Sequence, residues 1–197
     1  MAAYKPVGRK TNEELRPREH LYEHEIDKLI EAARGRRHYI RDQALILTAY
    51  RHALRPAEAC GLTWKQICFE TNRIMVKRAK NGVGGEQCIE DREIRYLKRL
   101  LKEKEKKKCA SPYVFVSAKG GPLSVCGFND LIEILGKKAG IEFKVHPHML
   151  RHSWGYKAVN NNVSLRRMQV YLGHKCITNT TRYLAVEAMD FSEMFNS

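Results

Sequence analysis

Most of the polar groups that packing alone does not explain lie in residues 146–183, HPHMLRHSWGYKAVNNNVSLRRMQVYLGHKCITNTTRY. His148 and Arg151 lie three residues apart, His174 follows a Leu-Gly pair, and Tyr183 lies nine residues further on. Three groups that can carry positive charge and one phenol are therefore spread over separate short elements. This arrangement is typical of a functional site and not of a packing pattern.

The first part of this stretch is predicted to be a helix, because Pro147 suits the first helical turn. On that helix His148 and Arg151 share a face, and Gly155 lies on the same face one turn later. Because glycine has no side chain, a bulky group can approach the helix closely at Gly155.

The second part is predicted to contain two further helices. Ser164 is the expected N-cap of one helix, and Gly173 is expected to end it. His174 then projects from the end of that helix. A last helix over about residues 179–188 carries Tyr183.

Upstream of this stretch, hydrophobic periodicity and breaker residues predict a mainly helical domain. The predicted helices cover 21–33, 39–53, 92–108 and 124–138, with a short helix between Pro56 and Gly61. Strand-like runs occupy 66–69, 73–78 and 87–90, and 113–117 is a further short strand or extended segment. The predicted fold class is mainly α with a small antiparallel β-sheet (α+β).

Two more basic residues lie at positions that could serve a site. Arg55 precedes Pro56 at a corner between two helices, where a guanidinium can be rigid without being solvated. It is either a phosphate clamp or a structural arginine bonded to Glu58. Lys80 lies where the second strand enters a glycine-rich turn, so it can reach a site or remain in solvent.

The composition favours a polyanionic partner. Lys plus Arg number 36 and Asp plus Glu 22, which gives a formal net charge of +14 and a pI near 9.6. Nucleic acid is the simplest such partner, and a merely basic soluble protein is the alternative.

We expect no membrane association, because the N-terminus lacks an apolar signal segment and no apolar run is long enough to cross a bilayer. Six scattered cysteines without a CxxC pair indicate reduced, mostly packing thiols of a cytoplasmic protein.

If the substrate is a DNA phosphodiester, these residues form a chemically coherent set. Tyr183 is the candidate nucleophile, and it needs a base because a phenol with a pKa of about 10 is scarcely ionised at pH 7. His148 is the best base by residue type. Arg55 and Arg151 can grip the non-bridging oxygens, and His174 can donate a further hydrogen bond to them.

Lys80 is the candidate general acid, since the departing deoxyribose oxygen needs a proton. Such a set needs neither a metal nor another cofactor, and the sequence shows no carboxylate cluster typical of a two-magnesium site. A zinc site at His146, His148 and His152 is the weaker alternative, because no fourth ligand has a suitable spacing.

These motifs resemble the tyrosine recombinase (phage integrase) family. The matching segments are AYRHALRPAEACGLTW with Arg55, KRAKNG with Lys80, HPHMLRH with His148 and Arg151, YLGH with His174, and TRY with Tyr183. The phrases AYRHALR and HPHMLRHSWGY are most similar to the small Fim-type fimbrial phase-switch recombinases. The resemblance covers about residues 20–190.

The resemblance implies the fold of a tyrosine recombinase catalytic domain and a DNA strand exchange without metal or ATP. Tyr183 would attack the scissile phosphate to form a 3′-phosphotyrosine, and a 5′-hydroxyl would reverse the step. Glu58 would support Arg55. The segment QCIEDRE is more acidic than the corresponding family strand, so Lys77 remains an alternative to Lys80.

The resemblance also implies how the protein works. The partner would be double-stranded DNA, bound by a homo-oligomer as a tetrameric synapse, with a DNA-bending accessory protein as a possible further partner. The expected event is inversion or another rearrangement of a short DNA element, in the cytoplasm at the nucleoid. A regulator that binds DNA without cutting it, and a topoisomerase of related mechanism, are the alternatives.

The chain is expected to divide into three parts. Residues 1–20 are a flexible basic arm, 21–187 the catalytic domain and 188–197 a C-terminal tail. The tail contains the apolar residues Met189, Phe191, Met194 and Phe195 and packs either on its own domain or on a neighbouring protomer.

Overall fold

The computed structural model of the chain describes residues 18–78, 82–181 and 183–184. Its helices are α1 (Glu23–Ala32), α2 (Tyr39–Arg51), α3 (Pro56–Cys60), α4 (Asp91–Lys106), α5 (Val125–Lys138), α6 (Pro147–Asn160), α7 (Leu165–Leu172) and α8 (Thr178–Thr181). A 3-10 turn, Trp64–Gln66, precedes the strands β1 (Ile67–Cys68), β2 (Arg73–Val76) and β3 (Gly85–Cys88). The predicted α+β class with a small sheet is confirmed.

Helix α2 is the centre of the domain. Every residue from 42 to 50 in it is buried, and the helix packs against α1, α4 and α6. A helix that is buried on all sides needs partners around its whole circumference, which these three helices supply. The C-terminal end of α2 leads directly into the corner that contains Arg55.

The outer helices are amphipathic. Helix α4 buries Ile94, Leu97 and Leu100 on one face, while its lysine-rich face lies in solvent. Helix α5 begins as predicted, because the Ser124 hydroxyl accepts a hydrogen bond from the backbone N–H of Gly127 at 3.0 Å. This is the N-cap contact expected of serine.

The sheet is antiparallel with the order β1–β2–β3. Strands β1 and β2 are shorter than predicted. Strand β3 has the predicted length but begins earlier, at Gly85, because its register pairs Val76 with Gly85 and Arg73 with Cys88. A turn before β2 includes Asn72, whose φ of 53° is left-handed. The expected strand at 113–117 makes only isolated bridges, Thr63 with Tyr113 and Val116 with Pro122, so it is an extended segment.

The C-terminal elements follow the prediction except in detail. Ser164 occupies the N-cap position of α7, but its side chain makes no capping hydrogen bond. Gly173 ends α7 in the left-handed conformation, with φ 64°. The predicted helix over 179–188 is, within the described residues, the short α8, and Tyr183 lies beyond its end.

Two apolar clusters stabilise the domain. The larger lies around α2 and includes residues from α1, the sheet, α4, α5 and the first half of α6. The smaller lies between α6 and α7 and consists of Ala53, Ala158, Val159, Met168, Leu172 and Tyr183. The candidate nucleophile is therefore part of a small hydrophobic core.

The edges of the domain partly fall outside the described residues. Most of the predicted arm, 1–17, and the tail, 188–197, lie outside them. Residues 18–20 contact the domain, since Arg18 pairs with Glu25 at 2.5 Å and Glu19 lies 3.2 Å from His146.

The expectation of mostly packing thiols was wrong. The six cysteines are free, but only Cys60 is buried, while Cys68, Cys88, Cys126 and Cys176 are exposed. Among the helices in the described part of the chain, none is both long enough and apolar enough to cross a membrane.

Candidate active site

Arg55 is fixed at the corner between α2 and α3 by its own helix. It is the N-cap residue of α3, and Pro56 occupies the first helical position. Glu58 accepts from the Arg55 backbone N–H at 2.9 Å and from Nη1 at 2.8 Å. The Arg55 side chain remains 27% exposed. The expected Glu58 pair is therefore present, and the guanidinium still reaches the surface.

Arg151 projects from α6 into the interior beside the same corner. Its Nη1 donates to the Ala53 carbonyl at 2.5 Å, and its Nη2 donates to the Leu172 carbonyl at 2.7 Å. Nη2 also lies 3.0 Å from Nε2 of His174. These three bonds use three of the five N–H donors of the guanidinium. Arg151 can thus bring together two chain segments and still face a ligand.

The environment of Arg151 is strongly electropositive. Burial, followed by the positive charges of Arg78 and Arg55, lowers the pKa of Arg151 to about 9. The Arg151 guanidinium therefore remains charged at neutral pH, and a bound anion would offset the free-energy cost of keeping this charge buried. An anionic phosphate is a ligand that such a site favours.

His174 lies at the end of α7, where Gly173 turns the chain. Its Nε2 faces Arg151, and its Nδ1 lies 2.9 Å from the Thr180 hydroxyl. Since a guanidinium can only donate, Nε2 of His174 accepts and Nδ1 carries the proton. To donate from Nε2 to a phosphate, His174 must therefore carry a proton on Nε2 and give up its bond with Arg151.

His148 lies on the exposed side of α6, one turn before Arg151. Partial burial against the domain lowers the pKa of His148, and the electrostatic effects of His146, Arg151 and Arg55 lower it further. A histidine with a lowered pKa is neutral at pH 7, which is the form that can accept a proton.

Tyr183 is buried, with 2% of its surface exposed. Its hydroxyl lies 3.2 Å from Nδ1 of His152, and its ring meets Tyr156 edge to face at 5.5 Å between centroids. The close approach predicted at Gly155 is confirmed, since a Cβ built there would lie 2.6 Å from Cζ of Tyr183. His152 is therefore a direct neighbour of the phenol.

Two features of the site were not predicted from the sequence. Arg78 has a side chain that is only 1% exposed and pairs with Glu58 at 2.9 Å. Ala53 is buried, with a left-handed φ of 47°. Its carbonyl accepts from Arg78 at 3.2 Å and from Arg151 at 2.5 Å. Neither residue has a sequence signal of its own, because Ala53 acts through its backbone carbonyl and the acceptors of Arg78 come together only in the fold.

The predicted set is thus brought together around one corner, with one exception. Arg151 contacts His174 directly, and Arg78, which bonds both Glu58 and the Ala53 carbonyl, links Arg55 to Arg151. His148 and Tyr183 lie on or against α6 beside them. Lys80 lies outside the described residues. Among the residues that are described, no group of three or more histidines, cysteines and carboxylates is arranged to hold a metal ion.

The arrangement can bind a phosphate through fixed cations beside an imidazole, and the phenol of Tyr183 is packed in the small core next to these groups. Charge that develops on a phosphorus centre would meet donors that are already oriented. This chemistry is phosphoryl transfer to a tyrosine.

Comparisons with known proteins agree with this chemistry. The sequence profile of the phage integrase family matches residues 19–189. The type 1 fimbriae regulatory protein FimB of Escherichia coli (strain K12) is 34% identical over 183 residues, which cover 92% of each chain. FimE of the same strain is 34% identical over 157 residues and 79% of each chain.

A solved structure shares the fold. The crystal structure of XerA recombinase superposes with a TM-score of 0.78 at 26% identity, covering 90% of this chain and 65% of that one. The resemblance in the sequence motifs and the recombinase catalytic-domain fold are therefore confirmed. This chain belongs to the phage integrase family and is a site-specific tyrosine recombinase, an enzyme that cleaves and religates DNA.

Proposed function

We propose that Arg55, Lys80, His148, Arg151, His174 and Tyr183 form the catalytic set of this recombinase. The main support is the cluster at the α2–α3 corner. There Arg55 and Arg151 are held by Glu58 and the Ala53 carbonyl, and Arg151 lies 3.0 Å from His174. Tyr183 packs in the small core directly beneath.

In the cleavage step, Oη of Tyr183 forms a bond to the scissile phosphorus, and the bond from phosphorus to the 5′ oxygen breaks. The phenolic proton passes to His148, whose lowered pKa keeps it neutral and able to accept. The 5′ oxygen leaves with a proton from Lys80. Religation is the reverse: a 5′-hydroxyl attacks the 3′-phosphotyrosine and tyrosine leaves. No metal or ATP is needed, because the ester bond energy is conserved.

The two arginines stabilise the charge of the pentacoordinate phosphorus. Arg55 offers the partly exposed guanidinium, and Arg151 offers its remaining donors from the interior. Because both are already fixed by protein partners, little reorganisation is needed in the transition state.

Tyr183 must leave its buried position to react. With 2% of its surface exposed, its hydroxyl cannot meet a phosphate that approaches from solvent. We infer that DNA binding is accompanied by a shift of the segment that carries Tyr183, which separates Oη from His152.

The wider setting is proposed from the relatives. The similarity to FimB and FimE, which are named type 1 fimbriae regulatory proteins, favours inversion or another rearrangement of a short DNA element. The partner would be double-stranded DNA, bound by a homo-oligomer in a tetrameric synapse, with a DNA-bending accessory protein. A protein that acts on chromosomal DNA in this way works in the cytoplasm, at the nucleoid.

The decisive experiment is covalent trapping on DNA. The DNA that flanks the coding region is searched for inverted repeats, which are the candidate sites. Each candidate site is made as a series of duplexes with a nick at successive positions. Cleavage next to a nick releases a short fragment, so the covalent adduct accumulates. The wild-type chain should form the adduct, and Tyr183→Phe should not.

The neighbouring Tyr156 supplies the matched control. Tyr156→Phe removes a hydroxyl from the ring that packs on Tyr183, and this variant should still form the adduct. An adduct on Tyr183→Phe, or none on a wild-type chain bound specifically to its site, would overturn the proposed role of Tyr183.

A further inference from the structure

The Arg78 side chain donates four hydrogen bonds beside the site. Its Nη1 donates to Glu58 Oε2 at 2.9 Å and to the Ala53 carbonyl at 3.2 Å. Its Nη2 donates to the carbonyls of His52 at 3.0 Å and Tyr171 at 2.5 Å. One guanidinium therefore joins the end of β2 to the α2–α3 corner and to the last turn of α7.

Two of these partners, the Glu58 carboxylate and the Ala53 carbonyl, also hold the proposed phosphate-binding arginines. Glu58 uses Oε1 for Arg55 and Oε2 for Arg78. The Ala53 carbonyl accepts from both Arg78 and Arg151. A displacement of Arg78 would therefore reach Arg55 through the Glu58 carboxylate and Arg151 through the Ala53 carbonyl.

Another acceptor, the Tyr171 carbonyl, connects Arg78 to the turn that carries His174. Tyr171 is near the C-terminus of α7, where backbone carbonyls lack helical partners. Gln87 of β3 donates to the same carbonyl at 3.2 Å. Arg78, just past the end of the central strand β2, and Gln87 of the edge strand β3 therefore both donate to the end of α7, two residues before Gly173.

The glycine at this point shows how closely the two parts pack. A Cβ built on Gly173 would lie 2.6 Å from Cγ of Arg78 and 2.8 Å from the carbonyl oxygen of Val83. A residue with a side chain would force the Arg78 stem away from the turn. The packing therefore requires both the left-handed backbone and the missing side chain at Gly173.

Burying a cation this deeply is costly unless its partners compensate. Burial lowers the pKa of Arg78, while Glu58 opposes that change. One carboxylate and three carbonyls surround the group, so its donors are well satisfied. Lysine cannot reproduce this arrangement, since an ammonium lacks the planar fork that spans several acceptors.

We propose that Arg78, assisted by Gln87, is a positioning residue for DNA cleavage, setting the spacing between Arg55, Arg151 and the His174 turn without contacting DNA. The proposal rests on the proposed role of those three groups at the scissile phosphate. It goes further in making the sheet, through β2 and β3, part of the geometry of the phosphate-binding site.

The test compares Arg78→Lys with Arg41→Lys. Arg41 is the matched control, because it also pairs with a buried carboxylate, Asp42, at 2.6 Å and donates to a carbonyl, that of Val116, at 2.8 Å. It lies at the opposite end of α2, about 15 Å of helix away from the corner. A purely structural arginine should behave like Arg41.

Single-turnover adduct formation on nicked duplexes is measured at a temperature where both variants are folded by circular dichroism. We expect Arg78→Lys to cleave about 10²-fold more slowly, since a misplacement near 1 Å has that effect. DNA affinity should stay within about threefold, because Arg78 is buried and contacts no DNA. Arg41→Lys should cleave at the wild-type rate per folded molecule.

A second substrate separates positioning from stability. In a methylphosphonate duplex one charged non-bridging oxygen is replaced by a methyl group, so the arrangement of the two arginines matters less. The rate ratio of wild type to Arg78→Lys should shrink there by at least about tenfold, as expected for coupled groups. A loss of stability alone would leave the ratio unchanged.

If Arg78→Lys does not fold, the same measurements are made on Gln87→Met. It removes one of two donors to the Tyr171 carbonyl and should slow cleavage severalfold with the same substrate dependence. Wild-type cleavage rates in the folded variants, or an unchanged ratio on methylphosphonate, would overturn the proposal. Failure of the proposed function would appear separately, as an adduct that persists in Tyr183→Phe.

Discussion

A single glycine determines where the candidate nucleophile rests. Tyr183 lies against the backbone of α6 because Gly155 has no side chain, and the ring is further enclosed by Tyr156 and His152. The same contacts that stabilise the small core therefore keep the phenol out of solvent. Packing and reactivity compete at this residue.

Gly155→Ala should disturb this balance. The new methyl group would lie 2.6 Å from Cζ of Tyr183 on a helix that cannot move away, and overpacking of this kind costs about 1–3 kcal/mol. We expect the ring to be displaced, so that adduct formation on nicked DNA falls at least about tenfold while DNA binding is kept. Trapping assays and equilibrium binding on the same duplex measure the two quantities.

Gly121→Ala is the control for this substitution, because a Cβ at Gly121 meets nothing within 4 Å. It should leave both cleavage and binding unchanged. Wild-type adduct formation by Gly155→Ala would show that the resting position of Tyr183 has no bearing on its reactivity.

The titration of His148 gives a second prediction at this scale. Its pKa is lowered by burial and by the charges of His146, Arg151 and Arg55, while Glu58 opposes them. The sign follows directly: a lowered pKa means that the proton leaves at lower pH, so the neutral base is present throughout the range above 6.5. NMR titration of the free protein should therefore place the His148 midpoint below 6.5. A midpoint at or above that value would contradict its proposed role as a ready base at pH 7, and His148→Gln identifies the resonance.

At the level of the elements, what could be predicted from the sequence depended on how local the signal was. Helix α5 was predicted almost to its ends, because Ser124 caps it and its apolar periodicity is contained in the helix. The Gly173 stop of α7 was equally local. The strands were less well placed, because the register of β3 is set by pairing with β2 and not by its own residues.

The site was predictable for the same reason and to the same extent. His148, Arg151 and His174 stand in short motifs with fixed spacing, so the sequence alone indicated them. The sequence alone did not indicate Arg78, because its importance comes from four acceptors that the fold brings together near the ends of α2 and α7 and in α3. The partnership of Tyr183 with His152 likewise depends on the packing of the small core.

Across the whole molecule, the charge that favours DNA is shaped by where the acids lie. Asp42, Glu58 and Glu93 are buried, and each has a cationic or histidine partner in the interior: Arg41, Arg78 and His52, respectively. Carboxylates that would repel a phosphate backbone are thus partly removed from the surface. Exposed cations such as Arg167 remain available for contacts that give affinity without sequence readout.

The C-terminal tail is the remaining candidate for a role in assembly. It contains Met189, Phe191, Met194 and Phe195 within ten residues, 188–197, a density of large apolar groups that is unusual in a solvated tail. Packing on its own domain and packing on a neighbouring protomer make opposite predictions for a chain that ends at Glu187. A tail that binds a neighbour is needed only when protomers meet on paired sites.

We therefore expect deletion of 188–197 to weaken the paired-site complex at least about tenfold more than binding to a single-site duplex, because only the former contains the lost contact. Gel-shift titrations on one-site and two-site DNA measure both. Arg167→Ala serves as the contrast: loss of one exposed phosphate contact should weaken both complexes alike and reduce the salt dependence of binding by about one unit of slope. Equal losses of the one-site and two-site complexes on deletion would instead assign the tail to its own domain.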